Sequence, residues 1–327
     1  MAISKTEKIW MNGRWVPWDD AKIHIMTHAL HYASSVFEGI RVYETADGPA
    51  IFRLDEHIDR LVFSARVYRM EIPYTAAQLR DACVETVAVN KLGDAYIRPL
   101  VYRGYENIGV NPIGNPIDVA IAAYPWGQYL GPDALTKGVA VKVSTWQRMA
   151  PNTLPAMAKA SANYMNSQLS KMEAIVDGYA EAIALDANGF VSEGSGQNVF
   201  AVIKGEVLTP PLHNSILAGI TRSTVLTLAR DLGLPVREAT IPRELLYVAD
   251  ELFFSGTAVE VSPIGSIDRI AVGNGGRGPI TKTIQDAFFA TVRGQNAKHR
   301  DWLTPVRASA APTDRRRAPV PAAARPA

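Results

Sequence analysis

Two short apolar runs flank Asn12-Gly13 in IWMNGRWVPW, a dipeptide that accepts the positive φ of a tight turn, so the pattern opens with a β-hairpin. From Asp55 the period changes to helical. Ile58, Leu61, Ala65 and Tyr68 fall on one face, with Asp55 placed to cap it. A second helix is predicted from Ala76 to Lys91, then strands from Ala95 to Tyr102 and from Asp118 to Tyr124. The first third thus alternates short strands with helices.

Pro125, Gly127, Gly131 and Pro132 cluster in PWGQYLGP and mark a linker over 126–135. It separates a small N-terminal α/β domain, 1–125, from a larger C-terminal domain, 136–306. The latter opens with a strand near Val139 to Ser144 and a proline-bearing loop that leads into Lys159. Met165, Leu169, Met172 and Ile175 then recur at helical spacing. EAIALD and NVFAVI read as strands around a turn region containing Asn188-Gly189. A helix from about Thr221 to Leu232 carries Val225, Leu228 and Leu232 on its inner face, with Gly233 as its stop. ELFFS and VEVSPIG are later strands, and ITKTIQDAFFATVRG is the last helix. No solenoid-type repeat is present. The Ala, Pro and Arg tail over 307–327 buries too little apolar surface to order itself and is expected to be disordered.

Composition narrows the class. With 327 residues and 47% hydrophobic content the chain can bury a sizeable core, and two domains are the natural division. The formal net charge is +2, yet five arginines in the tail against Asp314 carry more than that excess, so the body is slightly acidic. Such a body gives no electrostatic reason to expect nucleic acid or an anionic membrane as partner. The single cysteine, Cys83, excludes an intramolecular disulfide and paired-cysteine metal patterns, and fits a reducing compartment. The N-terminus lacks an apolar signal core, and no run approaches the roughly 20 apolar residues of a membrane helix. A cytoplasmic location is expected.

One motif is a false friend. GNGGRG over Gly273 to Gly278 matches the dinucleotide fingerprint, but it comes too late for the alternation such a fold needs, and Pro279 removes a donor where a phosphate would want one. A surface hairpin is the plainer reading. Walker, zincin and nucleophile-elbow motifs are missing. His24, His28 and His31 could share a helical face, but no acidic partner accompanies them; packing or capping outweighs a metal site.

Scattered elements suit an anionic, electron-withdrawing ligand. Gly219, Ile220 and Thr221 open a helix whose N–H groups and dipole favour phosphate, although Thr221 could simply be an N-cap. Ser255-Gly256-Thr257-Ala258 is a small-residue turn between strands. Glu193, in VSEGSGQN, lies among small residues that leave room for a flat ligand; an exposed turn acid is the alternative. Lys159 sits among Ala156, Met157, Ala158, Ala160, Ser161 and Ala162, a setting that disfavours an ammonium and suits an amine that forms a Schiff base. The alternative is a lysine snorkelling from a helix start.

Seven segments bear a resemblance in order: HALHYASSVFEGIRVY, YIRPLVYRG, PWGQYLG, PNTLPAMAKASANY, GFVSEGSGQNVF, LAGITR and SGTAVEVSPI. Up to about Val306 the chain resembles the fold type IV pyridoxal-phosphate enzymes, and within them the bacterial branched-chain-amino-acid aminotransferases. The resemblance implies an α+β two-domain fold of the D-amino-acid aminotransferase-like kind, with a small α/β domain and a larger pseudo-barrel domain. It implies that Lys159 carries pyridoxal 5'-phosphate as a Schiff base and shuttles the Cα proton, that Glu193 pairs with the pyridine nitrogen, and that Tyr164 bonds the 3′-oxygen. Phosphate would be held by Arg60, Gly219, Ile220, Thr221 and Thr257; from the residues alone, Arg60 looks like part of a solvated helix face. Substrate would meet Tyr32, Phe37, Gly39, Tyr96 and Tyr129, with Arg98, Thr257 and Ala258 at the carboxylate end. The implied reaction is amino transfer between L-leucine, L-isoleucine or L-valine and 2-oxoglutarate, in branched-chain amino acid biosynthesis, by a homodimer or dimer-based hexamer. The 103–112 loop departs from the usual pattern of relatives, which weighs on substrate preference. D-amino-acid and (R)-amine transaminases and aminodeoxychorismate lyases share the scaffold, but Tyr96-Ile97-Arg98 with Phe37 favours the branched-chain reading. A metabolite-sensing protein on the same fold and a hydride-transfer enzyme are the rivals of other classes.

Overall fold

The computed structural model describes residues 3–127 and 133–307. Tyr129, most of the PWGQYLGP linker and the tail from 308 lie outside the described residues. The chain divides into two compact units, one running to Trp126 and resuming at Thr304, the other spanning Gly127–Leu303.

The first unit comprises β1 (Lys8–Met11), β2 (Arg14–Pro17), α1 (His28–Tyr32), β3 (Ser35–Phe37), β4 (Ile40–Thr45), β5 (Gly48–Phe52), α2 (Leu54–Val67), α3 (Ala76–Val89), β6 (Ala95–Arg103) and β7 (Ile117–Pro125). Asn12 and Gly13 take φ of 49° and 87° and close the predicted hairpin, with Met11 opposite Arg14. Ile58, Leu61 and Ala65 are buried as their spacing predicts. Asp55, however, does not cap α2. Left-handed Arg53 occupies that position, and Asp55 sits in the first turn paired with Arg80. α3 begins with a reciprocal capping box, Gln78 N donating to Thr75 Oγ1 at 3.2 Å and Thr75 N to Gln78 Oε1 at 2.8 Å.

The second unit comprises α4 (Ala134–Lys137), β8 (Val139–Val143), α5 (Ser161–Val176), β9 (Glu181–Leu185), β10 (Val191–Gly194), β11 (Asn198–Ile203), β12 (Glu206–Thr209), α6 (Ile220–Asp231), β13 (Val236–Glu238), α7 (Leu245–Val248), β14 (Glu251–Gly256), β15 (Glu260–Ile267), β16 (Ile270–Ala271) and α8 (Pro279–Val292). A last strand, β17 (Leu303–Pro305), carries the chain back to the first sheet beside β5. Residues 304–306, assigned from sequence to the larger domain, therefore pair within the smaller one.

The first sheet runs β17-β5-β4-β6-β7-β1-β2, with β3 also on β6. The second runs β10-β9-β8-β15-β14-β11-β12-β13, mixed because β8 is parallel to both β9 and β15. Val141, Ile183, Val191, Val199, Phe254 and Ile264 from its strands share one core, each side chain worth about 1.5–3 kcal/mol in surface withdrawn from water.

Both predicted helices are present, with one burial reading to correct, that of Leu232 in α6. In α5 the apolar stripe Met165, Met172, Ile175 is exposed, and the helix turns Asn163, Ser167, Ser170 and Ala174 inward. In α6, Val225 and Leu228 are buried, but Leu232 is the exposed C-cap, just before left-handed Gly233. The GNGGRG segment lies between the β15–β16 hairpin and α8. The first N–H groups of α8 are taken by Glu251, whose carboxylate accepts from Ile280 N at 2.9 Å and Thr281 N at 2.7 Å. An internal anion thus fills the place a nucleotide phosphate would need.

Candidate active site

In the larger unit, Lys159 lies two residues before α5, between Ala158 and Ala160, both buried. The lysine is itself half-buried, and Nζ donates to Tyr164 Oη at 2.7 Å. A residue five positions on reaches back because it lies in the first turn of the helix that Lys159 introduces. The amine is therefore directed by a specific partner rather than released to solvent as a snorkelling lysine would be.

Glu193 is buried within β10, which overturns the exposed-turn alternative. Its Oε1 accepts from Arg148 Nη2 at 2.7 Å; its Oε2 accepts from Asn198 Nδ2 and from the Leu217 backbone N–H, both at 3.0 Å. Charge-assisted and neutral donors, one of them a guanidinium, thus converge on one buried carboxyl group. The small residues beside it are not equivalent. A Cβ on Gly194 would meet Phe254 and Gln197, whereas Gly196 is exposed and one there would meet nothing within 4 Å.

Asn198 also donates to Leu217 O at 3.0 Å, which ties the acid to the chain entering α6. Gly219, not Thr221, is the N-cap of that helix. A glycine there offers no side-chain acceptor, and Thr221 is buried in the first turn, so the helix start keeps the polarity that suits an anion. The requirement for glycine is steric: a Cβ at 219 would stand 1.9 Å from Asn198 Oδ1. Thr257 and Ala258 form the turn between β14 and β15, whose register closes at Gly256 and Glu260, with Glu260 at φ 59°.

In the smaller unit the solvated-face reading of Arg60 fails. Arg60 donates from Nε to Glu38 Oε1 at 2.6 Å and from Nη2 to Glu38 Oε2 at 2.9 Å, and His57 Nδ1 reaches Oε2 at 2.7 Å. Glu38 is fully buried. Burial pushes its carboxyl up, but the charges of Arg60 and His57 and their hydrogen bonds prevail and hold it well below the usual carboxylate range.

Of the substrate residues assigned by resemblance, Phe37, Gly39 and Arg98 lie beside Tyr96 in this unit. Arg98 lies over the Phe37 ring at 4.8 Å and the Tyr96 ring at 5.4 Å. Tyr96 also packs on Trp126 at 4.6 Å between centroids. Gly39 is where the Tyr96 hydroxyl needs room: a Cβ there would lie 1.8 Å from that oxygen. Tyr32 is exposed and stacks on buried His28. The three N-terminal histidines do not share a helical face, since α1 begins only at His28. His28 bonds Ser34 Oγ at 2.7 Å and donates to Gly109 O at 2.9 Å, anchoring the 103–112 loop.

Sequence reasoning missed Glu38, His57, Arg148 and Asn198. An acid inside the apolar SVFEGIRV run was a usable signal for Glu38. Arg148, in an irregular loop, had none.

The chain matches the model of the amino-transferase class IV family over residues 35–267. It is 50% identical over 307 residues to the branched-chain-amino-acid aminotransferase of Salmonella typhimurium (strain LT2), covering 94% of this chain and 99% of that protein, and equally to that of Escherichia coli (strain K12). The crystal structure of the Escherichia coli enzyme superposes with a TM-score of 0.91 at 50% identity, covering 93% of this chain and all of that one. A second solved structure, the T.th. branched-chain amino acid aminotransferase with pyridoxamine 5'-phosphate, superposes with a TM-score of 0.90 at 46% identity, covering 93% and 99% of the two chains. With a buried acid, a directed lysine and this likeness along nearly its whole length, the chain belongs to the class IV aminotransferases.

Proposed function

We propose that the protein is a pyridoxal-phosphate-dependent branched-chain-amino-acid aminotransferase, moving the amino group of L-leucine, L-isoleucine or L-valine reversibly to 2-oxoglutarate. The observation that carries the reading is the pairing, within one unit, of Lys159 directed by Tyr164 with Glu193 fixed by three donors. The donor set fits the cofactor: an amine for its aldehyde, a phenol for the 3′-oxygen, a carboxylate for the ring nitrogen and the Gly219, Ile220, Thr221 helix start for phosphate.

When bound, pyridoxal phosphate supplies an electron sink for the Cα carbanion. Lys159 Nζ takes the Cα proton and returns it, which makes it the general base and then the acid. Glu193 holds a proton at the ring nitrogen, and Tyr164 orients Nζ. On the resemblance we assign Arg60 and Thr257 to phosphate, Tyr32, Phe37, Gly39, Tyr96 and Tyr129 to the side-chain pocket, and Arg98 with Thr257 and Ala258 to carboxylate. We further place the enzyme in the cytoplasm as a homodimer. A single buried free cysteine supports the first, and the exposed Met165, Met172 and Ile175 of α5 support the second.

The test is spectroscopic. Purified protein with pyridoxal phosphate should show a visible band that L-leucine bleaches, and borohydride followed by peptide mapping should fix the cofactor at Lys159. A colourless protein, or label at another lysine, would sink the reading. Faster bleaching by D-alanine or an (R)-arylamine than by L-leucine or L-valine would reassign the substrate class.

A further inference from the structure

Arg148 is anchored through its backbone, whose N–H donates to Leu185 O at 2.8 Å. Its guanidinium then reaches two elements. Nη2 donates to Glu193 Oε1 at 2.7 Å, and Nη1 donates to Asn166 Oδ1 at 3.2 Å and Ser167 Oγ at 3.3 Å. Both side chains of the ion pair are almost wholly buried, 5% exposed for Arg148 and 7% for Glu193. Asn166 closes the loop by donating from Nδ2 to Gln147 O at 2.8 Å. Asn166 and Ser167 belong to α5, the helix introduced by Lys159, and Tyr164, which takes the Lys159 hydrogen bond, stands one turn earlier on it.

We propose that Arg148 is a positioning residue that locks the Glu193 strand and the Lys159 helix into one frame, and so sets the separation between the amine and the carboxylate. The inference rests on the functional reading above and deepens it. In a pyridoxal ring the aldehyde carbon and the ring nitrogen lie at opposite ends of one rigid plane, so a lysine bound to the first fixes where the acid for the second must be. A planar fork with several donors suits this task, because it holds the carboxylate and the helix side chains in fixed directions at once. A lysine at 148 would keep the charge but lose the fork. Supporting shells of this kind govern how well a site matches its ligand, and a shift of about 1 Å can cost on the order of a hundredfold.

The experiment compares the full-length holoenzyme with three variants, Arg148→Met, Arg148→Lys and the pair Asn166→Ala with Ser167→Ala. It reads the rate of cofactor loss on dilution and the circular dichroism induced in the visible band, which reports a fixed ring orientation. Far-UV dichroism checks folding. In Arg148→Met, cofactor loss should quicken about tenfold or more and the induced signal should fall by at least about half. Arg148→Lys should recover part of both, and the α5 pair, which keeps the ion pair, should fall between wild type and Arg148→Met. A folded Arg148→Met with both readouts within about twofold of wild type overturns the proposal. If that variant does not fold, the α5 pair decides by the same criterion. A wild type that takes up no pyridoxal phosphate at Lys159 removes the functional reading itself, whereas a normal wild type beside an unchanged variant removes only the role of Arg148.

Discussion

Arg60 and Glu38 form a two-pronged ion pair, Nε to Oε1 at 2.6 Å and Nη2 to Oε2 at 2.9 Å, on an acid that has no solvent exposure. Both of its prongs are charge-assisted, and His57 adds a third bond to the same carboxylate. Glu38 sits between β3 and β4 in the chain, so the pair joins the sheet to α2. A buried pair of this kind contributes less net stability than its Coulomb energy suggests, but breaking it from one side is costly.

Glu38→Gln tests that asymmetry. The amide keeps the shape and one acceptor but leaves the guanidinium buried without its counter-charge, which costs about 3–5 kcal/mol. Urea unfolding followed by fluorescence should show the loss, and it should be smaller when Arg60→Met is combined with Glu38→Gln, since the pair then leaves together. A single-variant loss below about 1 kcal/mol would place the pair among weak surface bridges.

The same carboxylate sets an acid dependence. Its ordinary value is 4.5, and in the fold it is held well below the usual range, so the folded chain binds fewer protons than the unfolded chain as pH falls through 4.5. The stability it contributes is complete above that value and erodes on acidification. Between about pH 5 and pH 3 the slope from this one group approaches about 1.4 kcal/mol per pH unit, and Glu38→Gln should lack it. Parallel wild-type and variant slopes in urea unfolding across that range would refute the assignment.

How far the sequence could be read follows from what periodicity encodes. The spacing of Met165, Leu169, Met172 and Ile175 specifies a helix, and α5 is there, but a period does not say which face turns inward. The face that turns inward carries Asn163, Ser167 and Ser170, whose partners include Ala158 O and Arg148, a demand no periodic signal carries. The small apolar neighbours of Lys159 left a snorkelling lysine open, and only the resemblance singled the amine out, whereas Gly233 was legible as a helix stop and is left-handed there. Asp55 was misread as a cap since the true cap, Arg53, has no side-chain signature and acts through a left-handed backbone. Arg60 looked solvated for want of its partner, which lies 22 residues earlier. Ion pairs between distant residues leave no local pattern.

Gly39 should be as intolerant as a core position. A Cβ there would stand 1.8 Å from the Tyr96 hydroxyl oxygen and 2.5 Å from Cζ, so removing the hydroxyl alone does not make room. Gly39→Ala should lower kcat/KM for L-leucine about tenfold to a hundredfold by moving the Tyr96 ring, and adding Tyr96→Phe should not restore it. Steady-state kinetics check both; full recovery in the double variant would show that the hydroxyl was the only obstacle.

Gly219→Ala probes the link between the helix start and the acid. The new methyl would lie 1.9 Å from Asn198 Oδ1, and Asn198 is the residue that bonds both Glu193 Oε2 and Leu217 O. Overpacking of this kind costs about 1–3 kcal/mol, and the side chain most able to yield is Asn198. Its displacement should loosen Glu193 and weaken retention of pyridoxal phosphate about tenfold, an effect read by the rate of cofactor loss on dilution. A second variant locates the cause. In an Asn198→Ala background the methyl has no oxygen to strike, so Gly219→Ala should then change cofactor retention by less than about twofold, a coupling of the size contacting residues show. Equal effects of Gly219→Ala in both backgrounds would mean that glycine serves the helix backbone itself and not the asparagine.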